Sequence, residues 1–287
     1  MDYVISMFVN RWYVMALVIT FMIVAVAERG WLRMAVWLAV GTFLGWLSEY
    51  CSTRTGFPFT YYDYYPSAFP HELWISNIPL FASLSFASLT YLGHSLTYTL
   101  FSPLRRGEKG IERIENMQLL LSFKVAVCAM LLITWSDFAI DPITHLGEYW
   151  FLGKIYMYVP GDYGWLAPVY QHLTPAWHFD VPIGNYVGWF ITCFTIVFVN
   201  QWIDAWLINQ GFPHKPAFSL PHLPLMSLFY FIGNFIFILL VNIYLFFNPA
   251  VPADAQIGLI LVNTIGFILL FVAFNVFVIR KKLQAAV

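Results

Sequence analysis

Long apolar stretches separated by short polar segments dominate the chain. Seven of these stretches reach or approach the roughly 20 apolar residues that an α-helix needs to cross the hydrocarbon core of a bilayer. They cover residues 11–28, 31–50, 77–101, 117–140, 184–208, 222–247 and 255–280. An open sheet cannot lie in lipid, because its edge groups would stay unpaired. The pattern therefore predicts an all-α fold, a polytopic integral membrane bundle of about seven transmembrane helices.

Composition supports a membrane protein and excludes an ordinary soluble domain. Of the 287 residues, 60% are hydrophobic and only 10% are charged, and the net charge is -1. This balance is far from the usage of soluble proteins, and it gives no indication of a nucleic-acid partner. No Gly/Ser-rich linker interrupts the pattern. We therefore interpret residues 1–287 as a single transmembrane domain.

The basic residues are divided unevenly between the two sides that this helix pattern defines. One side has three, which are Arg11, Arg54 and Lys154. The other side has ten, which are Arg29, Arg33, Arg105, Arg106, Lys109, Arg113, Lys215, Arg280, Lys281 and Lys282. Because basic residues favour the cytoplasmic side, we predict a multi-pass protein of the plasma (inner) membrane with a cytoplasmic C-terminus and an outer N-terminus. Segments 51–76 and 141–183 then face outward.

Three acidic residues lie at the outer ends of two predicted helices. Glu49 ends the second helix, and Asp137 and Asp141 end the fourth. The i, i+4 spacing of the two aspartates places them on one helical face. Ionisable residues at such a depth are costly, and they usually line a cavity or pair with each other. We expect the three carboxylates to meet at one level. Alternatively, each could be an ordinary interfacial acid in contact with water. Because Asp141 precedes Pro142, its role could also be limited to ending the helix.

Aromatic residues accumulate around these acids. Tyr61, Tyr62 and Tyr64 follow Glu49 together with Arg54, a candidate partner for one of the carboxylates. Segment 141–183 contains ten more, which are Tyr149, Trp150, Phe151, Tyr156, Tyr158, Tyr163, Trp165, Tyr170, Trp177 and Phe179. An interfacial aromatic belt requires fewer, so an aromatic lid over an apolar ligand is favoured. The remaining candidates for contact with a ligand are Trp135, Asn185 and Trp189.

Three stretches in this region together resemble a known family. "EYCSTRTGFPFTYYDY" is similar to the E…RTGxPFGxYxY segment of the membrane carotenoid hydratases of the CruF type. "SDFAIDPITHLGEYW" resembles the D…xDP…W stretch of that family, and "HFDVPIGNYVGW" resembles its YYGVPxxNFxGW stretch. The order is the expected one, over roughly residues 45 to 190. Thr60 and Asp180 stand where the family patterns have glycine.

The resemblance implies a hydro-lyase that adds water, without a cofactor, to the terminal isopropylidene double bond of an acyclic or monocyclic carotenoid and so forms a tertiary alcohol. Such a reaction requires a protonated acid, stabilisation of a tertiary cation and a base for the attacking water. Glu49, Asp137 and Asp141 supply the acids, with Asp137 or Glu49 as the proton donor. The implied partners are a carotenoid, water and membrane lipid, with other enzymes of the carotenoid pathway as further candidates.

Other functions stay open at this level. A cyclase or isomerase could use the same cation while excluding water. "DFAID" has the DxxxD spacing of membrane prenyltransferases, but no second Asp-rich motif follows it. A transporter or lipid-binding protein is a further alternative, although transporters concentrate polar or broken helices near the bilayer midplane. The histidines and cysteines show no spacing typical of a metal site. The sequence does not indicate which carotenoid, which end group or which oligomeric state applies.

Overall fold

The computed structural model describes residues 2–66 and 71–285. Within these residues, seven helices are at least 18 residues long: α2 (Trp12–Arg29), α3 (Trp31–Thr55), α4 (Leu80–Phe101), α6 (Phe123–His145), α8 (Ile183–Asn209), α9 (Met226–Phe247) and α10 (Ile257–Ala285). Three shorter helices are α1 (Asp2–Asn10), α5 (Met117–Leu120) and α7 (Ala167–Tyr170). Six of the long helices, all except α4, have the length and hydropathy to cross a membrane. The predicted all-α polytopic membrane bundle is therefore confirmed.

Helix α4 differs from the other long helices because it lies inside the bundle. It packs against α2, α3, α6, α8 and α9, and its residues from Phe86 to Leu100 are all buried. Protein rather than lipid surrounds these residues, so α4 can carry Ser, Thr and His. Several of its hydroxyl groups bond to the preceding turn, as Thr90 does to the carbonyl oxygen of Phe86 at 2.6 Å.

Small residues let α3 approach α4 closely. A Cβ atom added at Gly41 would lie 2.8 Å from the Cα atom of Ala87, and one added at Gly45 would lie 2.8 Å from the Cβ atom of Phe86. Glycine at these positions is the usual way for membrane helices to pack backbone against backbone. Glu49 follows Gly45 by four residues and therefore lies on the same face of α3, directed into the bundle.

Helix α6 begins later and ends later than the sequence predicts. It begins at Phe123, and Ser122 is its N-cap residue, whose side chain accepts a hydrogen bond from the Val125 amide. It continues through Pro142 to His145. The alternative that Asp141 only terminates the helix is therefore wrong, because another turn follows it.

In the described part of the chain, four two-stranded ladders, which the apolar pattern did not predict, connect the helices. The pairs are β1 (Tyr62–Tyr64) with β6 (Tyr156–Tyr158), β2 (Trp74–Ile75) with β3 (Ile78–Pro79), β4 (Leu104–Gly107) with β5 (Gly110–Arg113), and β7 (Ala176–His178) with β8 (Val181–Pro182). The β1–β6 ladder is antiparallel and places Tyr62 opposite Tyr158 and Tyr64 opposite Tyr156. It therefore joins the two aromatic segments that flank the acids in sequence.

Candidate active site

The three acidic residues lie on one cavity. Glu49 comes from α3, and Asp137 and Asp141 come from α6, one helical turn apart. Their exposed fractions are only 7%, 2% and 6%. All three line the same space of about 220 Å³, whose other walls are mainly apolar side chains of α2, α4, α6 and α9. The cavity therefore presents carboxyl groups to whatever apolar molecule enters it.

A second and more polar space adjoins the first. Its volume is about 70 Å³, and its lining includes two acids, four tyrosines and an asparagine: Glu49, Asp141, Tyr62, Tyr64, Tyr156, Tyr158 and Asn185. Six residues border both spaces, which are Glu49, Tyr64, Phe86, Asp141, Tyr156 and Trp189. We call the larger space the apolar cavity and the smaller one the polar chamber. Asp137 lines the apolar cavity but not the polar chamber.

Hydrogen bonds fix the orientation of the carboxylates. The Nδ2 group of Asn185 donates to Oδ2 of Asp137 at 3.3 Å and also to Oδ2 of Asp141. The Tyr64 hydroxyl donates to Oε1 of Glu49 at 2.7 Å, while the Tyr156 hydroxyl lies 3.4 Å from Oδ1 of Asp141. The side-chain amide of Asn185 thus binds both aspartates, whereas Glu49 is bound by Tyr64 of the β1 strand.

Two polar atoms of residues that line the polar chamber make no regular hydrogen bond within the described residues. They are Oε2 of Glu49 and the hydroxyl of Tyr158, and both are buried. A buried polar atom without a hydrogen bond costs about 1–3 kcal/mol, so these two atoms are candidate partners for a polar ligand such as water. Burial also raises the pKa of Tyr64 and Tyr158 well above the usual range, so both phenols remain protonated near neutral pH.

A stacked aromatic pair completes the wall between the two spaces. The rings of Phe86 and Trp189 are 4.6 Å apart and nearly parallel, at 30°. Phe59 meets Trp189 edge to face at 6.2 Å. Aromatic faces attract cations, so this wall is suited to a positively charged intermediate.

The comparison with known families agrees with this membrane architecture. A family model described as "carotenoid biosynthesis protein" matches residues 9–265. The chain belongs to the carotenoid biosynthesis protein family. Searches of curated proteins and of solved structures returned no match. The family suggested by the three sequence motifs is thus confirmed at the level of carotenoid biosynthesis.

The structure of this family member brings together most of the predicted site residues. Glu49, Asp137, Asp141, Tyr62, Tyr64, Asn185 and Trp189 all line the apolar cavity or the polar chamber. The residues come from three helices and the β1 strand, which meet at one end of the bundle. The predicted convergence of the acids at one level is therefore visible in the geometry.

Three predicted residues lie elsewhere. The Arg54 guanidinium packs over the Tyr50 ring at 3.5 Å and donates to Asn77 at 2.8 Å, so it is not a partner of the acids. Tyr61 packs against Tyr163 at the protein surface. Trp135 is 37% exposed and faces outward, against Phe267. These three residues line neither space.

Helix geometry explains two of these placements. Each residue advances an α-helix by about 100°, so Arg54 lies roughly 140° around α3 from Glu49, and Trp135 lies roughly 200° around α6 from Asp137. Although both residues are close to an acid in the sequence, this rotation places their side chains on a face of the helix directed away from the cavity. Tyr61 comes one residue before β1, where the alternation of a strand directs its side chain opposite to that of Tyr62.

Two residues that sequence analysis placed only in a general aromatic lid belong to the site. Tyr156 borders both spaces, and Tyr158 borders the polar chamber. The signal was the alternation in "YDY" and "YMY", which is typical of paired strands with tyrosines on one face. Asn234 of α9 is a further polar residue on the apolar cavity, and its buried Nδ2 has no protein partner within the described residues.

A separate polar cluster lies at the opposite end of the bundle. Asp204 forms ion pairs with Arg33 and, at 3.6 Å, with Arg29, and it accepts a hydrogen bond of 2.8 Å from His214. The Arg29 guanidinium also contacts Nδ1 of His94 at 2.8 Å. These buried groups pair with one another at this end of the bundle, although Nη1 of Arg33 has no hydrogen-bond partner within the described residues. As predicted, Asp204 takes no part in the cluster of Glu49, Asp137 and Asp141.

No group of three His, Cys, Asp or Glu side chains that could hold a metal ion is found in residues 2–66 and 71–285. The three cysteines, Cys51, Cys128 and Cys193, are all free thiols.

Proposed function

We propose that this protein is a carotenoid hydratase, a cofactor-independent hydro-lyase that adds water to the terminal isopropylidene double bond of an acyclic or monocyclic carotenoid. The observation that carries the proposal is the pair of adjoining spaces. One is apolar and suits an alkene, the other is polar and suits water, and carboxylates form the wall between them. Addition of water to an alkene requires this separation, because the proton and the water oxygen add to neighbouring carbons.

The size of the apolar cavity indicates how such a substrate binds. Its volume of about 220 Å³ is below the roughly 300–1,000 Å³ of pockets that enclose a whole drug-sized ligand. A long carotenoid can therefore place only one end inside. The remainder of the polyene extends between the helices into lipid, where its burial is favourable.

Asp137 is the proton donor in this proposal. It faces the apolar cavity only, so its acidic proton is directed to the alkene rather than to water. Transfer of this proton to the less substituted carbon forms a C–H bond and leaves a tertiary cation on the neighbouring carbon. The stacked faces of Trp189 and Phe86 and the negative charge of Glu49 stabilise that cation.

Glu49 is the base that completes the addition. Its Oε1 is held by Tyr64, whereas its Oε2 makes no hydrogen bond to the described residues, and Glu49 lines the polar chamber. A water molecule in the polar chamber attacks the cation, forms the C–O bond and gives one proton to Oε2. The proton then returns through the polar chamber to Asp141 and from Asp141 to its neighbour Asp137. The enzyme ends in its starting state, and one water has been consumed.

The alternative functions fit the site less well. A cyclase or isomerase passes through the same cation but must exclude water, which is inconsistent with a polar chamber beside the acids. A prenyltransferase must bind diphosphate, yet none of the described residues that line the two spaces is Lys or Arg. A transporter requires a path through the bundle, and the buried Asp204 cluster closes the end opposite to the apolar cavity.

The direct test is expression of the protein in cells that accumulate an acyclic carotenoid. The expected result is a product heavier than the substrate by one water, with a tertiary hydroxyl group at the chain end. The Asp137→Asn variant, produced to the same level in the membrane, is the matched control and should give no product. A product of unchanged mass with a new ring or a shifted double bond would instead identify a cyclase or an isomerase.

A further inference from the structure

Tyr158 occupies a distinctive position in the site. It lies on β6, opposite Tyr62 of β1, and its ring stacks on His145 with 5.1 Å between the ring centres. It lines the polar chamber, but it is not among the residues that line the apolar cavity. Its buried hydroxyl group makes no hydrogen bond of regular geometry to the residues described here, and its polar neighbour is the Tyr156 hydroxyl. The hydroxyl therefore faces the side of the site where water adds and not the side where the alkene is protonated.

The polar chamber has the size and the polarity to order water. A volume of about 70 Å³ is well above the roughly 10–15 Å³ that a cavity needs to hold one water. An ordered buried water needs about three hydrogen bonds. Oε2 of Glu49 and the hydroxyl of Tyr158 are both buried and make no regular hydrogen bond to the part of the chain that the structure describes, and Asp141 borders the same space. These groups can supply the hydrogen bonds that one water requires.

We propose that Tyr158 binds the attacking water together with Glu49 and thereby decides whether the cation is hydrated. The phenolic oxygen accepts one hydrogen bond from the water, and Oε2 of Glu49 accepts the other. A lone pair of the water oxygen then points to the wall shared with the apolar cavity, where the cation forms. This inference rests on the proposed function and adds to it a residue that acts on the water and not on the alkene.

The role predicts a particular defect when the hydroxyl is removed. In Tyr158→Phe the ring and its stacking on His145 remain, and Asp137 can still protonate the alkene. Without ordered water, the cation persists until it returns a proton from a neighbouring carbon to a carboxylate, which regenerates an alkene. In D₂O the hydrogen that Asp137 adds comes from solvent and is deuterium, whereas the hydrogen that is lost comes from the substrate. This reversal therefore leaves deuterium in the unhydrated carotenoid.

The experiment compares two rates in D₂O for each enzyme, namely formation of the alcohol and incorporation of deuterium into recovered substrate. The expected result for Tyr158→Phe is a fall of about tenfold or more in the ratio of hydration to exchange, because the attacking water loses one of the hydrogen bonds that hold it. Tyr158→His, which keeps a ring with a hydrogen-bonding nitrogen, should recover part of the ratio. Tyr65→Phe, a change at a half-buried tyrosine just after β1 that lines neither space, should keep the wild-type ratio.

The outcomes separate failure of this inference from failure of the proposed function. An unchanged ratio in Tyr158→Phe, or an equal loss of hydration and exchange in a folded variant, would show that Tyr158 does not hold the water. If the histidine variant recovers nothing while the phenylalanine variant fails to fold, the residue is structural and the inference is wrong. If the wild-type protein gives neither hydration nor exchange, the proposed function itself fails.

Discussion

The hydroxyl of Tyr64 donates a hydrogen bond of 2.7 Å to the Oε1 atom of Glu49. The chain leaves the membrane at the end of α3, turns, and returns as β1 to contact the acid that it has just passed. Oε2, the other oxygen of Glu49, makes no hydrogen bond to the residues that the structure describes. The loop thus fixes which atom of the carboxylate can reach water.

Neutral isosteres of the acids should separate their roles. Asp137→Asn and Glu49→Gln should each lower hydration by about a hundredfold or more, since general acid and base catalysis typically contribute 10²–10⁴-fold. Asp141→Asn should also lower it, because Asp141 returns the proton and is not simply a helix terminus. Product formation in isolated membranes measures all three, with thermal unfolding in detergent as the check that each variant is folded.

The deuterium assay distinguishes the donor from the base. Asp137→Asn should lose both hydration and exchange, because no proton reaches the alkene. Glu49→Gln should lose hydration more than exchange, because the proton is delivered but the water is not activated. The opposite pattern would mean that Glu49 is the proton donor and Asp137 is the base.

Purified protein should need only substrate and water. The proposed mechanism uses only side chains and water, so treatment with a chelator should leave the rate unchanged. In ¹⁸O-labelled water the new hydroxyl group should carry the label. Loss of activity on chelation, with recovery on addition of one particular metal, would contradict this mechanism.

The position of the acids was predictable because helix geometry is regular. A span of known length fixes depth, and an i, i+4 spacing fixes a face, so Asp137 and Asp141 could be placed together before the structure was known. The same periodicity places Arg54 and Trp135 away from the cavity, because residues that are close in a helical sequence can lie on opposite faces of the helix. The lower hydropathy of α4 also follows from its burial within the bundle.

The polar chamber was not predictable in this way. It depends on the pairing of Tyr62 with Tyr158 and of Tyr64 with Tyr156 across the β1–β6 ladder. The partners of this ladder come from segments separated by two long helices and several loops, and three-residue strands carry little pattern of their own. Which tyrosine faces which is decided by the tertiary fold, so a list of aromatic residues could not distinguish Tyr158 from Tyr163.

Asp204 should matter for stability rather than for chemistry. In Asp204→Ala, Arg29 and Arg33 would remain buried without their acid, and breaking a buried ion pair in this way typically costs about 3–5 kcal/mol. We expect a clearly lower unfolding temperature in detergent. Glu112→Ala is the matched control at the same end, because its pair with the largely exposed Arg105 should contribute at most about 1 kcal/mol. Equal effects of the two variants would mean that the cluster does not hold this end of the bundle together.

Asp180→Gly should stabilise the protein. Phe179 and Asp180 connect β7 to β8 with φ angles of 49° and 66°, the conformation of a type I′ turn, which favours glycine at its second position. Glycine stands at this position in the motif that the sequence resembles. We expect a gain of about 0.5–1 kcal/mol, since the left-handed conformation is unfavourable for most residues other than glycine.

The control for this change is Asp180→Ala, which removes the carboxylate but keeps a Cβ atom in the left-handed region. It should not raise the unfolding temperature. If alanine and glycine stabilise equally, the effect comes from loss of the charge and not from the backbone conformation.

The orientation of the bundle decides from which side water enters. The polar chamber lies at the end of the bundle that carries β1, β6 and α7, whereas the Asp204 cluster and the β4–β5 hairpin lie at the other end. If the division of ten basic residues against three sets the topology, the polar chamber opens to the outer face. Single cysteines at two exposed positions can test this, Gln171→Cys near the polar chamber and Glu108→Cys in the β4–β5 turn. Cys51, Cys128 and Cys193 are first replaced by serine.

A membrane-impermeant thiol reagent added to intact cells should label the cysteine at position 171 and not the one at position 108. After the cells are opened, both should react, which shows that the cysteine at position 108 is accessible when the reagent can reach it. This pattern would place the tyrosine ladder and the polar chamber on the outer face, so that water arrives from that side while the carotenoid arrives sideways from lipid. Labelling of position 108 alone in intact cells would mean that the topology is reversed and that water reaches the same acids from the cytoplasm. The geometry on which the chemistry depends would be unchanged.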